Sequence, residues 1–307
     1  MIPPRFEYHA PTSVGEAIQL LNDLGDSAKL LAGGHSLLPM MKLRFAAPEH
    51  LIDINRIPEL RGVRQDGGNV VIGAMTTETE VINSPVIQAK LPLLSEAAKL
   101  IADPQVRNRG TIGGDIAHGD PGNDHPALAM AIDASFVLQG PGGQRTVAAD
   151  DFFFGTYMTA LAENEVLCEI HAAAFASGTG WAYEKLKRKT GDWATAACAV
   201  VMRKSGDKIT HIRVTLTNVG PTALRAHDAE AALLNNALDE SSISAAANAA
   251  AAICDPAEDL RGDIEYKTAM AAQMSVVHLK RPLRAATNTG VNHVQETYFR
   301  HHQRPHA

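Results

Sequence analysis

The sequence predicts an α+β protein of two domains, and three observations support this fold class. The chain has 307 residues, 45% of them hydrophobic and 20% charged, a length and composition typical of two globular domains. Apolar residues recur with helical spacing in some segments and alternate as in strands in others. The order is helix, strand, strand in the first part and three strands then two helices in the second, which is typical of α+β folds.

The first part opens with a predicted helix over "TSVGEAIQLLNDLG", where Ser13 and Glu16 form a capping box and Gly25 ends the helix. Strands are predicted at "AKLLAGG", "HLIDI" and "NVVIGAM", with a turn at residues 66–68 before the last. The segment "LPLLSEAAKLIAD" is predicted to be helical and to stop at Pro104. A loop is expected at 107–126, followed by a helix and strand in "HPALAMAIDASFVLQG" and a turn at "GPGG".

A segment without clear periodicity, "HAAAFASGTG" at residues 171–180, is the predicted domain boundary. Beyond it, "WAYEKLKRK", "TAACAVVMRK" and "KITHIRVTLTNVG" predict three strands, and "AHDAEAALLNNAL" and "SSISAAANAAAAIC" predict two helices. From Ser275 onwards no helical stripe is kept. That tail is basic and holds five of the 13 histidines, which indicates either a solvated, partly disordered tail or a metal-binding tract.

Composition argues against several classes of function. The net charge of −6 does not favour a nucleic-acid-binding protein, and no signal peptide or apolar run long enough for a membrane span is visible. The three cysteines, Cys168, Cys198 and Cys254, are far apart and form no CxxC motif. We therefore expect no iron–sulfur cluster on this chain, and reduced thiols of a cytoplasmic protein.

Two glycine pairs are the main candidate binding elements. The first glycine segment, residues 32–36, reads "AGGHS", and the second glycine segment, residues 111–115, reads "TIGGD". Successive amides of a glycine turn can converge on an anion, and Ser36 and Thr111 add hydroxyl groups suited to phosphate oxygens. The pair predicts a pyrophosphate held from two sides, although each segment can also be only a turn. No Rossmann fingerprint, P-loop or nucleophile elbow is present.

Two further stretches hold candidate residues. "HGDPGNDHP" at 118–126 offers two histidines and two aspartates, which can form a metal site, pin the loop as Asx turns, or leave Asp124 to accept hydrogen bonds from ligand hydroxyls. In "YEKLKRKTGDWATAA", strand alternation places Lys185, Lys187 and Lys189 on one side. One of these cations can face a ligand, and Trp193 is either a packing anchor or a ring that stacks on a ligand.

The segments "AGGHSLLPMMKLR", "IADPQVRNRGTIGGD", "AHGDPGNDHPA" and "YEKLKRKTGDWATAA" resemble the flavoprotein (medium) subunits of aerobic, molybdenum-containing carbon monoxide dehydrogenases. The resemblance runs from Met1 to about Met274 and includes the wider molybdenum hydroxylase family. It implies a vanillyl-alcohol-oxidase-like (PCMH-type) FAD-binding domain at 1–175, with subdomains of about 1–55 and 56–175. A C-terminal α+β domain with a three-stranded antiparallel sheet would follow at 178–285, and a divergent tail at 286–307.

The resemblance also implies the site residues. Both glycine segments would hold the FAD pyrophosphate, Asp124 would contact the ADP end, and an apolar residue, Leu167, would lie at the flavin ring. Lys185 matches a lysine of the C-terminal domain, and Trp193 matches the aromatic residue beside the isoalloxazine. The full set implied to contact the cofactor is Ala32, Gly33, Gly34, His35, Ser36, Thr111, Ile112, Gly113, Gly114, Asp115, Asp124, Leu167, Lys185 and Trp193.

The implied function is electron transfer, with no residue of this chain catalysing carbon monoxide oxidation and no metal bound by it. Partners would be a large subunit with a molybdenum–copper molybdopterin cofactor and a small subunit with two [2Fe–2S] clusters, in a dimer of heterotrimers. Electrons would leave through a quinone, in the cytoplasm or at the inner face of its membrane. Three alternatives remain: the FAD subunit of another molybdenum hydroxylase acting on a purine, aldehyde or N-heterocycle, a stand-alone flavin oxidase, and a non-catalytic module.

Overall fold

The structure is a computed structural model that describes residues 2–280 and 284–285, the backbone alone for 276–280 and 284–285. It confirms the α+β class, because helices pack on three sheets of three, five and five strands. We call these the parallel sheet, the middle sheet and the C-terminal sheet. The divergent tail predicted at 286–307 lies outside the described residues.

The parallel sheet is formed by the first 53 residues, and its strand order is β1-β3-β2. Its elements are β1 (Glu7–His9), α1 (Val14–Leu24), β2 (Ala28–Leu31), α2 (Leu37–Lys42) and β3 (His50–Asp53). The predicted helix α1 is confirmed: the Ser13 hydroxyl accepts from the Glu16 amide at 3.2 Å, and Gly25 ends the helix with a φ of 53°. The Glu16 carboxylate reaches the amide of Thr12, one residue earlier than a capping box requires.

The middle sheet is antiparallel, with the order β4-β5-β10-β6-β7. Its strands are β4 (Val63–Asp66), β5 (Asn69–Gly73), β6 (Ser135–Gly140), β7 (Gly143–Ala148) and β10 (Val166–Ala173), and β8 (Phe153–Gly155) and β9 (Met158–Thr159) form a separate hairpin. The helices between β5 and β6 are α3 (Glu78–Asn83), α4 (Pro85–Lys90), α5 (Pro92–Ala98), α6 (Pro104–Arg107), α7 (Ile112–His118) and α8 (Asp124–Ala131).

Two expectations for this part were wrong. Helix α5 ends at Ala98 rather than at Pro104, and Pro104 instead begins α6, where the Asp103 carboxylate caps the amide of Gln105 at 2.8 Å. A proline is well suited to that first helical position because its missing N–H has no partner there anyway. The expected loop at 107–126 contains helix α7. The connection from β10, which ends at Ala173, to the strand that begins at Gly180 lies within the predicted boundary segment.

The C-terminal sheet has the order β14-β13-β12-β11-β15, and the three predicted strands are its long central members. Its elements are β11 (Gly180–Leu186), β12 (Ala196–Ser205), β13 (Lys208–Thr217), β14 (Leu224–Arg225), α9 (His227–Leu233), α10 (Glu240–Ala252), α11 (Ile264–Lys280) and β15 (Arg284–Ala285). Strand β11 stops at Leu186, so Lys187 and Lys189 follow the strand rather than alternate along it.

Strand β12 reads as an unbroken apolar run because both of its faces are buried. Ala199 and Val201 pack in the core shared with the middle sheet, on the side where α8 lies. Cys198, Val200 and Met202 point the other way, into the core beneath α9, α10 and α11. The C-terminal sheet is therefore joined to the middle sheet by a continuous apolar contact, which the Thr215 hydroxyl reinforces by donating to the Ala127 carbonyl at 2.8 Å.

Helix α11 corrects the expectation that the helical pattern ends at Met274, since it continues to Lys280. Ser275, where the irregular tail is predicted to begin, is buried inside the helix. Its hydroxyl donates to the Ala271 carbonyl one turn back at 3.0 Å, which satisfies the polar group within the helix. None of the helices in the described part of the chain has the length and apolarity to cross a membrane.

Helix α7 packs directly against the end of strand β5 in the middle sheet, and glycine makes this approach possible. A Cβ on Gly113 would lie 2.6 Å from the carbonyl oxygen of Ala74, the residue after β5. The amides of Ile112 and Gly113 donate to Thr76 and Ala74 at 3.0 and 2.9 Å. The first amides of α7 therefore hydrogen-bond to the backbone carbonyls that follow β5.

We predict that Gly113→Ala destabilises the chain by at least about 1–3 kcal/mol, because the added methyl group must push α7 away from Ala74, which follows β5. Gly15→Ala is the matched control, since nothing lies within 4 Å of a Cβ at Gly15 on α1. That change should stabilise by up to about 1 kcal/mol, through loss of glycine's backbone freedom. Urea denaturation of both variants tests the contact, and equal stabilities would contradict it.

Candidate functional site

The first glycine segment connects β2 to α2 and presents a row of unused backbone donors. Gly34 has a φ of 80°, which glycine adopts readily and other residues rarely do. Among the described residues, the amides of residues 33–37 donate to no acceptor, whereas the next amide, Leu38, bonds to the Gly34 carbonyl at 3.0 Å. Successive free amides in such a turn form a concave donor set suited to an anion.

The second glycine segment differs from the first, and the prediction of a second open glycine turn was wrong. Thr111 caps α7 by accepting from the Gly114 amide at 3.2 Å, and Gly113 and Gly114 lie inside the helix with negative φ. The amides of residues 112–114 all have partners within the protein. The backbone of this segment is therefore fixed by hydrogen bonds and forms a rigid wall. Its glycines are needed for close packing against neighbouring backbone rather than for an unusual φ angle.

The two glycine segments are in direct contact. A Cβ on Gly33 would overlap the carbonyl of Arg109 and lie 2.9 Å from the Cα of Gly110, immediately before the second segment. A Cβ on Gly114 would lie 3.4 Å from the Cβ of Ala32. The structure thus brings together the two segments that are about 80 residues apart in sequence, as a clasp requires.

Asn55 holds the first segment in place, and the sequence reasoning missed it. Its side-chain amide donates to the Ala32 carbonyl at 2.8 Å and to the Asp53 carboxylate at 2.6 Å, while Arg61 donates to the Asn55 side-chain oxygen at 3.3 Å. The available signal was the position of "DIN" just after a strand. Strands β2 and β3 are parallel neighbours, so the chain leaves both strands at the same end of the sheet. Asn55, two residues after β3, therefore lies close to Ala32, the residue after β2.

Two side chains of the first segment are not used by the fold. His35 is exposed, and no hydrogen bond of the Ser36 hydroxyl occurs within the described part of the chain. The Ser36 hydroxyl lies among the free amides and supplies a further donor for an oxygen-rich ligand. The predicted contact of His35 with the cofactor stays a prediction.

Asp124 and Lys185, both predicted site residues, form a buried ion pair with each other. The Lys185 ammonium lies 2.6 Å from the Asp124 carboxylate, with side chains 2% and 4% exposed. The Tyr183 hydroxyl donates to the same carboxylate, a contact that sequence reasoning did not find. Burial, and then the Asp124 charge, raise the pKa of Tyr183 well above its ordinary value. The predicted contact of Asp124 with a ligand stays a prediction.

Asp124 and Lys185 also tie the middle sheet's helices to the C-terminal sheet. Asp124 begins α8 and Lys185 lies on β11, and Lys187 reaches across to the Leu100 carbonyl at 3.1 Å. Burial, and then the nearby Lys185 charge, lower the pKa of Lys187. Lys189, the third lysine of the predicted row, is exposed, so the row does not form a single charged face.

A second buried polar cluster lies behind the second glycine segment. His125 bonds to Glu78 at 2.8 Å with both side chains at most 3% exposed, and its amide donates to the Asp115 carboxylate at 3.3 Å. Burial alone lowers the pKa of His125, but the charge and hydrogen bond of Glu78 outweigh it and raise that pKa to about 9. Burial raises the pKa of Asp115 to about 7. Asp115, the last residue of the segment, is thus half-buried and linked to this cluster.

The candidate metal set at 118–126 is not assembled. Asp120 accepts from the Gly122 amide at 2.8 Å, the predicted Asx turn, while Asp124 and His125 turn to Lys185 and Glu78. His118 instead lies against the Tyr157 ring, with centroids 4.9 Å apart. The hydrogen bonds of this stretch therefore hold the loop between α7 and α8 rather than converge on one point.

Trp193 offers an exposed aromatic face near that loop. Its side chain is 51% exposed, the Arg261 guanidinium carbon lies 5.6 Å from the ring centre, and a Cβ on Gly122 would lie 3.2 Å from the ring edge. Arg261 and Arg188 both pair with Asp192, the preceding residue, at 3.0 and 3.2 Å. These contacts hold the ring at the surface and leave one face accessible for stacking.

Leu167, the last predicted site residue, lies on β10 and is 4% exposed in the core of the middle sheet. A register shift between Leu167 and Glu169 marks a bulge at this point of the strand. The contact between Leu167 and a flavin ring stays a prediction. In the structure, the Leu167 side chain packs in the hydrophobic core of the middle sheet.

We predict that the free energy of unfolding falls by about 3 kcal/mol between pH 6 and pH 9.5 through His125. The pKa of His125 is raised above its unfolded value of about 6.5, so its stabilising charge is present below that pH and is lost as pH rises through about 9. The raised pKa of Asp115 acts in the same direction between about 4 and 7. Urea denaturation across this range measures the fall.

Glu78→Gln should reduce that fall, because the neutral amide no longer favours the charged imidazole. The variant should lose most stability at pH 6, where the buried histidine charge would be unpaired, and least at pH 9.5. Glu258→Gln, at an exposed position, is the matched control and should keep the normal profile. A Glu78→Gln profile parallel to that of the unaltered chain would contradict the assignment.

Comparison with known proteins identifies the family to which this geometry belongs. Residues 4–172 match the profile described as the FAD-binding domain in molybdopterin dehydrogenase. Residues 181–281 match that of the CO dehydrogenase flavoprotein C-terminal domain. Together the two matches span most of the chain.

The chain is 72% identical over 286 residues to the carbon monoxide dehydrogenase medium chain of Hydrogenophaga pseudoflava, covering 93% of this chain and 98% of that one. It is 51% identical over 274 residues to the medium chain of Afipia carboxidovorans, covering 89% and 95%. A solved Hydrogenophaga pseudoflava carbon monoxide dehydrogenase lacking the Mo-pyranopterin moiety superposes with a TM-score of 0.90 at 75% identity, covering 90% and 96%. The chain therefore belongs to the family of FAD-binding medium chains of molybdopterin dehydrogenases, among those of carbon monoxide dehydrogenase.

Proposed function

We propose that this chain is the electron-transfer subunit of an aerobic carbon monoxide dehydrogenase. The reaction CO + H2O → CO2 + 2H⁺ + 2e⁻ would take place at a molybdenum–copper centre in a large partner subunit. The electrons would pass through two [2Fe–2S] clusters of a small partner subunit to FAD on this chain and then to a quinone. The 72% identity to a medium chain of that enzyme supports the assignment of the substrate.

The observation that carries the FAD site is the row of free amides at residues 33–37, facing the fixed wall of the second glycine segment. A pyrophosphate is an anion with several acceptor oxygens, and it fits a donor set that has no acceptor within the described chain. The donor chemistry therefore fits the cofactor of the family. When bound, FAD supplies the redox chemistry that the side chains of this chain cannot supply.

The residues around this row have separate roles in binding. The amides of residues 33–37 and the Ser36 hydroxyl would hold the pyrophosphate, while Asn55 fixes the carbonyl of Ala32 so that the amides point outward. Thr111 and Gly114 form the opposite wall. Trp193, braced by Arg261, would cover one face of the isoalloxazine and exclude water there.

The cysteines of this chain are consistent with clusters held elsewhere. Cys168, Cys198 and Cys254 are buried or half-buried free thiols, and none of them lies in a cluster of ligand atoms among the described residues. A [2Fe–2S] cluster needs four protein ligands close together, mostly cysteines. The proposal therefore places both clusters in a partner subunit and gives this chain the flavin alone.

We predict that Ser36→Ala weakens FAD binding about ten- to hundredfold, the worth of one hydrogen bond to a charged group. The fold should be unaffected, because the Ser36 hydroxyl makes no hydrogen bond within the described residues. Titration of the FAD-depleted chain, followed by flavin fluorescence, measures the affinity.

Ser205→Ala is the matched control, at an exposed serine at the end of β12. It should bind FAD like the unaltered chain, and both variants should melt at the same temperature without FAD. Unchanged FAD affinity in Ser36→Ala would remove Ser36 from the binding site, and failure of the unaltered chain to bind FAD would support a non-catalytic module.

We expect the complex with its two partner chains to bleach its flavin absorbance near 450 nm when carbon monoxide is added anaerobically. An electron-accepting dye should then be reduced in a carbon monoxide-dependent manner. Reduction by a purine, aldehyde or N-heterocycle but not by carbon monoxide would establish the alternative molybdenum hydroxylase. Substrate oxidation by this chain alone would instead indicate a flavin oxidase.

The proposal also names the electron acceptor of the complex and the number of its subunits. A quinone resides in the membrane, so we place the complex, a dimer of heterotrimers, in the cytoplasm and at the inner face of the membrane. Mass measurement of the purified complex tests the stoichiometry. Anaerobic incubation with membrane vesicles tests the acceptor, and quinol should accumulate only when carbon monoxide and the complex are both present.

A further inference from the structure

Three metal-ligating side chains meet on the parallel sheet, away from both glycine segments. We propose that Glu7, His9 and His50 bind one divalent transition-metal ion of the Zn²⁺ class. In the described part of the chain, these are the residues whose His, Cys, Asp or Glu ligand atoms cluster closely enough to share an ion, all within 4.8 Å of one another.

Sheet geometry explains why these residues meet. Glu7 and His9 are two residues apart on β1, so their side chains point to the same face. The parallel register pairs Glu7 with His50 on β3, which places the His50 side chain on that face as well. Strand β1 is the edge of the sheet, which leaves the cluster open on its outer side.

The donor atoms already have the spacing of a coordination shell. Nε2 of His9 lies 3.1 Å from Nδ1 of His50, and Nδ1 of His50 lies 3.5 Å from a carboxylate oxygen of Glu7. Zn²⁺ binds nitrogen at about 2.0–2.1 Å and oxygen at about 2.0–2.2 Å, so tetrahedral ligands are about 3.3–3.5 Å apart. The two imidazoles hydrogen-bond to each other in the structure, and a bound ion would replace that hydrogen bond.

The burial of the three side chains suits a site that closes on an ion from solvent. The His50 side chain is 18% exposed and held by the sheet, whereas Glu7 is 75% exposed and free to swing onto the ion. Two imidazoles and one carboxylate form a donor set that Zn²⁺ accepts, and a fourth position stays open to water. Mg²⁺, which prefers oxygen ligands in octahedral geometry, would not be held.

A bound ion would link the edge strand β1 to the central strand β3. Strand β3 also pairs with β2, from which the first glycine segment leaves. The proposed ion therefore stabilises the sheet that carries this segment, without touching the segment itself. This inference does not depend on the proposed electron-transfer function.

The test is calorimetric titration of the full-length chain with ZnCl₂ at pH 7.5, with MgCl₂ as the ion control. We expect Zn²⁺ to bind and to raise the melting temperature by several degrees at saturation, and Mg²⁺ to do neither. His9→Gln and His50→Gln should each weaken this binding at least about a hundredfold, since even the loss of outer-shell partners costs about 10–100-fold. Glu7→Gln should weaken it less, because an amide oxygen is a poorer ligand.

Two controls separate this cluster from other histidines. His227→Gln changes an exposed histidine of α9, and the double variant His301→Gln/His302→Gln changes the histidine-rich tail. Both should keep the binding and the melting shift. Binding lost only in the tail variant, binding unchanged in His9→Gln and His50→Gln, or no Zn²⁺ binding at all would each overturn the proposal.

A spectroscopic readout guards against variants that fold poorly. Co²⁺ substituted for Zn²⁺ in the unaltered chain should give the strong visible bands of a four-coordinate site. These bands should be absent in His50→Gln and retained in the His301→Gln/His302→Gln chain. Weak six-coordinate bands in the unaltered chain would also overturn the assignment.

Discussion

The site depends on backbone contacts that only glycine allows. Gly33 lies against the backbone at Arg109 and Gly110, and Gly113 lies against Ala74 at the edge of the middle sheet. The first contact joins the two glycine segments, and the second fixes α7 to the sheet. Interiors are packed so densely that a single added methyl group at either point must displace a whole element. The relative position of the parallel sheet and α7 follows from these two contacts.

The two glycine segments differ in how their backbone amides are used. The second segment uses its amides on Thr111, Thr76 and Ala74, so it contributes rigidity and space. The first segment keeps its amides free and is held from behind by Asn55. Two polar clusters connect the elements around the second segment. Glu78, His125 and Asp115 join α3, α8 and α7. Asp124, Lys185 and Tyr183 join α8 to strand β11 of the C-terminal sheet.

Sequence reasoning succeeded where local chemistry decides structure and failed where distant contacts do. Helix α1 was predictable from its cap, its apolar stripe and Gly25. Helix α7 was not, because two glycines in seven residues argue against a helix, and its stability comes from bonds to residues 74–76. The glycine pairs were identifiable as candidates, but Asn55, Tyr183 and Glu78 act through partners 23 to 59 residues away that no short motif encodes. Helix α11 continues past Met274, and within it the Ala271 carbonyl accepts a hydrogen bond from the buried Ser275 hydroxyl. Composition alone does not reveal this hydrogen bond.

Hydrogen exchange of the backbone amides tests the central claim, the division of labour between the two glycine segments. Without FAD, the amides of residues 33–37 should exchange rapidly, and those of residues 112–114 should already be protected by their partners within the protein. Addition of FAD should slow exchange at 33–37 strongly and change 112–114 little. Protection of residues 33–37 without FAD, or exchange there that FAD leaves unchanged, would contradict the account.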